Sequence, residues 1–124
     1  MAEPVLLTFA ELEFVLRSAA GDRPATVHDP VRRRLAFAPE VSTDIVAGAG
    51  VASLLARGLC RQDNGTVVPG DFIVAVAAAL ASRHTTTEAA GWLGDRPTVV
   101  HLFSGTAARL IVTPAVFGLF TVEA

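Results

Sequence analysis

The fold is decided by residues 51 to 79, VASLLARGLCRQDNGTVVPGDFIVAVAAA. An apolar helix runs out at Ala56-Arg57-Gly58-Leu59, a turn sits at Asp63-Asn64-Gly65, and Val67-Val68-Pro69 leads into a second apolar helix. The Asn64-Gly65 pair between Leu59-Cys60-Arg61 and Thr66-Val67-Val68 predicts a β-hairpin, because a two-residue type I′ turn needs positive φ at both central residues. Pro69 suits the first turn of the next helix, where a missing N–H costs nothing. That helix is predicted to reach about Arg83. Phe72, Ile73, Val74, Val76, Ala77, Leu80 and Ala81 leave it almost no polar face, so it is expected to be the most buried of the helices. A joint of this kind occurs in winged-helix DNA binders and in chaperones that hold secreted partners.

Upstream, Thr8 and Glu11 form a capping box, and Leu7 with Leu12 a candidate hydrophobic staple, which predicts a helix from Thr8 to Ala20 that stops at Gly21. Val5 to Leu7 reads as a short strand entering it. Pro24 and Pro30 forbid a continuous helix through the next segment. Val31 to Phe37 reads as a short edge strand with Arg32-Arg33-Arg34 facing solvent and Leu35 and Phe37 inward. A second helix is expected from Ser42 or Thr43 to just before Gly58, with Ile45, Val46, Ala49, Leu54 and Leu55 as its apolar face. Gly48 and Gly50 inside it mark a kink or a close helix contact.

Downstream the period changes from helix to strand. Thr85 to Leu93, Thr98 to Phe103 and Ala107 to Thr113 are predicted strands, divided at Gly94-Asp95-Arg96-Pro97 and Ser104-Gly105. Val116 to Val122 reads as a last strand, with a short helix at its start as the alternative. The sum is one α+β domain over residues 1–124, about three helices followed by an antiparallel β-meander of three to four strands.

Hydrophobic residues make up 52% of the chain and charged ones 18%, with a mean hydropathy of +0.50. This excess predicts that part of the surface is covered by a partner or a second copy. The net charge of −2 argues against a nucleic-acid surface. No apolar run approaches the roughly 20 residues that span a bilayer. Glu3 and Glu11 without a basic n-region predict no secretory signal, and the single Cys60 fits a reducing, cytoplasmic setting.

The catalytic inventory is sparse. His28, His84 and His101 lack companions at zinc-ligand spacing, and His84 is placed at a helix end. Ser104 has no nucleophile elbow, Cys60 reads as a small hydrophobe, and Glu11 and Glu13 point to different faces of their helix. No enzyme activity, cofactor or metal is predicted. The stronger candidate is Val116-Phe117-Gly118-Leu119-Phe120, apolar on both alternating faces, which makes Val116, Phe117, Leu119 and Phe120 the expected protein interface.

Leu6-Leu7-Thr8 leading to Glu11-Leu12, then Ala56-Arg57-Gly58-Leu59, Asp63-Asn64-Gly65 and Val67-Val68-Pro69, resembles the N-terminal half of EspG-like proteins. The apolar helix and the strand pair from Thr98 to Thr113 continue the resemblance. It implies an α+β fold of two related halves about a pseudo-two-fold axis. It also implies a cytosolic chaperone of actinobacterial type VII (ESX) secretion that binds PE–PPE-type heterodimers. The likeness covers one half of that architecture, so the inference is a homodimer that rebuilds the shape through an isologous interface. The alternative is a winged-helix DNA-binding regulator, opposed by the acidic charge and the apolar third helix.

Overall fold

The computed structural model describes residues 3–38, 40, 42–105, 108–115 and 118–124. Strand β1 (Val5–Thr8) leads straight into helix α1 (Phe9–Ala20). The Thr8 hydroxyl accepts from the Glu11 N–H at 3.0 Å, and Glu11 Oε1 accepts from the Thr8 N–H at 2.8 Å, closing the capping box at the strand–helix corner. Gly21, at φ +60°, ends the helix in a conformation that a side chain disfavours.

A 3₁₀ turn (Ala25–His28) then passes into a short helix, α2 (Asp29–Arg34), where an edge strand was expected. Pro30 occupies the first turn of α2, which needs no N–H there, and Val31 and Leu35 fall one helical turn apart on the buried side. The arginine run therefore divides by face. Arg33 and Arg34 are exposed, but Arg32 is buried and meets Glu13 through a two-pronged pair, both contacts at 2.8 Å.

Helix α3 (Asp44–Ala56), capped by Thr43, crosses α1. Its contact face is set by Gly50, whose missing Cβ would lie 2.0 Å from the Ala10 carbonyl oxygen. The face is Ala47, Gly50 and Leu54. Ile45, expected inward, is 84% exposed. Strands β2 (Cys60–Asp63) and β3 (Thr66–Pro69) form the predicted hairpin, with Asn64 at φ +50° and Gly65 at φ +77° in its turn. Pro69 closes β3 instead of opening a helix. Gly70 is the cap, and α4 (Asp71–Ala81) ends before Arg83.

Strands β4 (Arg83–Leu93), β5 (Arg96–Gly105), β6 (Arg109–Pro114) and β7 (Leu119–Glu123) form the meander. Strand β1 joins β7, giving an antiparallel sheet in the order β1-β7-β6-β5-β4. The helices gather on one face of it. Leu12, Val15 and Leu16 of α1 and Ile73, Val76 and Leu80 of α4 share a core with Leu7, Phe103, Leu110, Val112 and Val122 of the sheet. Helix α1, buried at seven positions against four in α4, is the central one, contrary to expectation. It lies between the sheet side and α3, so it is covered from two directions.

Two carboxylates anchor α1 from its buried side. Glu13 accepts from Arg32, from Arg17 Nε at 2.9 Å and from Ser42 Oγ at 3.0 Å. Glu11, besides capping, accepts from Ser53 Oγ at 2.8 Å and Arg57 Nη1 at 2.7 Å. Both side chains are completely buried. Burial alone would raise the Glu13 pKa, but the hydrogen bonds from Arg32, Arg17 and Ser42 outweigh it and hold the group below its ordinary range. Each acid thus ties α1 to a different neighbour, Glu13 to α2 and Glu11 to α3.

Candidate protein-binding surface

Alternation along the strands gives the sheet two unlike faces. One rung runs Glu88, His101, Val112, Val122, Val5 across all five strands and looks toward the helices. The neighbouring rung, Thr87, Leu102, Ile111 and Glu123, looks the other way. Nothing among the described residues covers it. Leu6 and Ile111 are exposed there, Ile111 at 36%, and Val100, Leu102 and Leu119 are half-buried among threonines. This open face is apolar at its middle, with Arg109 and Glu123 toward one end and Arg96 at the other.

The β4–β5 hairpin reaches farther than the rest of the sheet. Strand β6 pairs with β5 only from His101 to Ser104, so the hairpin beyond Val99 has no strand beside it. Trp92, the chain's one tryptophan, stands there 74% exposed. The arm turns at Gly94, whose φ of +66° fits the first central residue of a type II′ turn.

On the helical side, a cleft of about 410 Å³ opens between α2 and the sheet, with Arg34, Leu35, Glu88, Val99, His101 and Phe120 among its lining. Arg34 Nη1 holds Glu88 Oε1 at 2.9 Å, and His101 Nδ1 lies 3.6 Å from the same oxygen. Burial lowers the His101 pKa and Arg34 lowers it further, against the pull of Glu88. His28 is also buried and kept neutral, first by desolvation and then by nearby arginines. Arg83 Nη1 stands 2.6 Å from its Nδ1. Both imidazoles are therefore structural groups poised to object to acid.

The expected interface residues separate. Val116 and Phe117 lie outside the described residues. Leu119 is half-buried and faces the open side opposite Thr8 of β1, through the strand alternation of β7. Phe120 is corrected: it is 5% exposed and belongs to this chain's own core, its ring 5.7 Å from that of Phe37. Alternation alone sends Phe120 and Val122 inward and leaves Leu119 and Thr121 outward, so β7 presents one apolar face to its own helices.

The chemistry-bearing side chains are occupied elsewhere. Every oxygen of Glu11 and Glu13 accepts at least one hydrogen bond from protein, which leaves neither of these two carboxylates free for proton transfer. The buried Cys60 thiol is pushed up by desolvation, away from the thiolate a nucleophile needs. Ser104 sits within β5, paired to Arg109 and Thr85 across the open face, and His84 is an exposed strand residue, not a helix end. Among the described residues no group of three or more His, Cys, Asp and Glu could hold a metal.

Comparison with known protein families, with curated proteins and with solved structures finds no match. Among the described residues, no helix is long and apolar enough to cross a membrane. The surface itself is what remains. Sequence reasoning located the apolar excess but placed it on the last strand alone. The better signal was the alternation of Val100 and Leu102 with His101 and Phe103, which puts aliphatic groups on the face of β5 opposite its core residues.

Proposed function

We propose that this chain is a non-enzymatic protein-binding module that works as a homodimer and presents the open face of its sheet to a protein partner. The observation that carries this reading is the uncovered rung of Leu102 and Ile111, with exposed Leu6 on the same face. A five-stranded sheet packed on one side only leaves aliphatic groups in water, and such surfaces in small proteins mark interaction sites. The resemblance to EspG-like chaperones names the partner class, a PE–PPE-type secretion substrate held in the cytoplasm.

The DNA-binding reading has less support. The exposed positions of α4 are Asp71, Val74, Ala78 and Ala81, one carboxylate and three aliphatic groups, which lack the several polar side chains a recognition helix extends to base edges.

Co-expression with PE–PPE-like pairs tests the proposal. The wild-type chain is expected to co-purify with a pair, and Ile111→Glu, which puts a carboxylate in the middle of the open face, to lose it. Failure to capture any such pair would remove the chaperone assignment. Capture that Ile111→Glu leaves intact would move the partner off the open face.

A further inference from the structure

We infer that the two copies of the homodimer join edge to edge along β4, turning two five-stranded sheets into one. This rests on the homodimer reading above and adds where the seam lies. Strand β4 is an edge of the sheet, bonded to β5 on one side and to nothing described on the other. It is long, from Arg83 to Leu93, carries no Pro, and has its only basic side chains, Arg83 and His84, at its start. Its one irregularity lies at its start, between Arg83 and Thr85. Folded proteins ordinarily blunt such edges with charge, proline or bulges, because the free N–H and C=O row is a template for another strand. The single acid, Glu88, points to the helical face and has Arg34 as its counter-ion, so it opposes a second chain only where another Glu88 lies directly across from it.

The phase of the free groups follows from the hairpin. The turn at Gly94 and Asp95 closes on Leu93 and Arg96, the hydrogen-bonded pair of a two-residue loop. Pairs alternate from there, so Trp92 opposite Pro97 is a non-bonded pair, which suits a proline that has no N–H to give. Odd-numbered residues from Thr85 to Leu93 therefore bond to β5. Thr86, Glu88, Ala90 and Trp92 turn their N–H and C=O groups to the free edge.

A two-fold axis normal to the sheet pairs β4 antiparallel with its copy and keeps like faces together. Opposed residues must then share a face. An axis through Glu88 sets two carboxylates directly opposite, which is unfavourable. An axis through Thr87 runs the pairing into the irregularity after Arg83. Through Ala89, the seam uses the whole strand from Thr85 onward. Ala89 meets its own copy, Glu88 meets Ala90, and exposed Trp92 gains Thr86 as a cross-strand neighbour. Both open faces then lie on one side as a single surface, with all helices on the other.

Cysteine placement tests the seam. At the axis, Ala89 forms a non-bonded pair with its copy, whose Cα separation of about 4.5 Å a disulfide bridges, whereas Thr87 is displaced from its copy by several residues. Under mild oxidation Ala89→Cys is expected to give at least tenfold more covalent dimer than Thr87→Cys. The wild type, whose Cys60 is buried, should give none. Ala90→Pro removes only an outward N–H, so it should keep the fold by circular dichroism while raising the dimer dissociation constant by about tenfold or more. Equal cross-linking of both cysteines, or dimerisation untouched by Ala90→Pro, would overturn the β4 seam while leaving the homodimer standing. A chain that stays monomeric throughout would remove both.

Discussion

The two faces of this sheet are made from the same strands and often from adjacent residues, yet they have opposite roles. Toward the helices, His101, Val112 and Val122 sit in a closed core whose polar members are paired or held neutral. One residue along, Leu102 and Ile111 look into solvent. The helical face explains why the chain folds. The open face has no role in holding α1, α3 and α4 together, and that independence is what lets it be used for a partner. If this contrast is right, substitutions should be costly for folding on one side and nearly silent on the other.

The largest effect is expected at Glu13. Glu13→Ala removes the two-pronged partner of buried Arg32 and leaves it only the half-exposed Asp29 carboxylate, 2.9 Å from Nη1. Loss of one partner of a buried pair costs about 3–5 kcal/mol, and Asp29 places this case at the lower end. Urea unfolding followed by circular dichroism checks this, and a loss below about 1 kcal/mol would mean that water reaches the pair. Next comes Gly50→Ala. The new methyl would meet the Ala10 carbonyl and push α3 off α1, for about 1–3 kcal/mol in the same assay.

Acid should act through the covered face. His28 and His101 are held neutral in the fold by burial, so the unfolded chain binds their protons first. Stability is then complete above about pH 6.5 and falls as the pH drops through the folded-state values, by up to about 1.4 kcal/mol per unit for each group. Below the ordinary carboxylate range, protonation of Glu13 adds to the loss in the same direction, because its folded pKa is depressed too. Melting temperature measured from pH 8 to pH 5 reads the histidine part, and His28→Gln should flatten that slope. The smallest effect belongs to the open face. Ile111→Thr should change folding stability by no more than about 0.5 kcal/mol, since the residue has no core to leave. A larger loss would show that this face is covered within the chain.

Much of the fold was legible in the sequence because local signals carried it. The Thr8–Glu11 box, the Asn64-Gly65 turn and the strand alternation from Thr85 to Thr113 each depend on near neighbours. What failed depended on partners far along the chain. In sequence, residues 31–37 read as an edge strand because Pro30 breaks a continuous helix and Arg32 reads as a solvated charge. Glu13, distant in sequence, is what allows Arg32 indoors. Helix α3 is apolar nearly all round, so periodicity had no face to prefer. The approach of Ala10 to Gly50 chose it and left Ile45 outside. At the candidate surface the sequence names Leu119 and Phe120 alike; the structure turns Leu119 outward and Phe120 into the core, because only the β1–β7 pairing shows which side of β7 the helices cover.

Sedimentation equilibrium of the wild-type chain from micromolar to millimolar concentration tests the central claim that this sheet is completed by another molecule. The account predicts a reversible rise to twice the chain mass of 12.9 kDa. A constant mass of one chain across that range would contradict it.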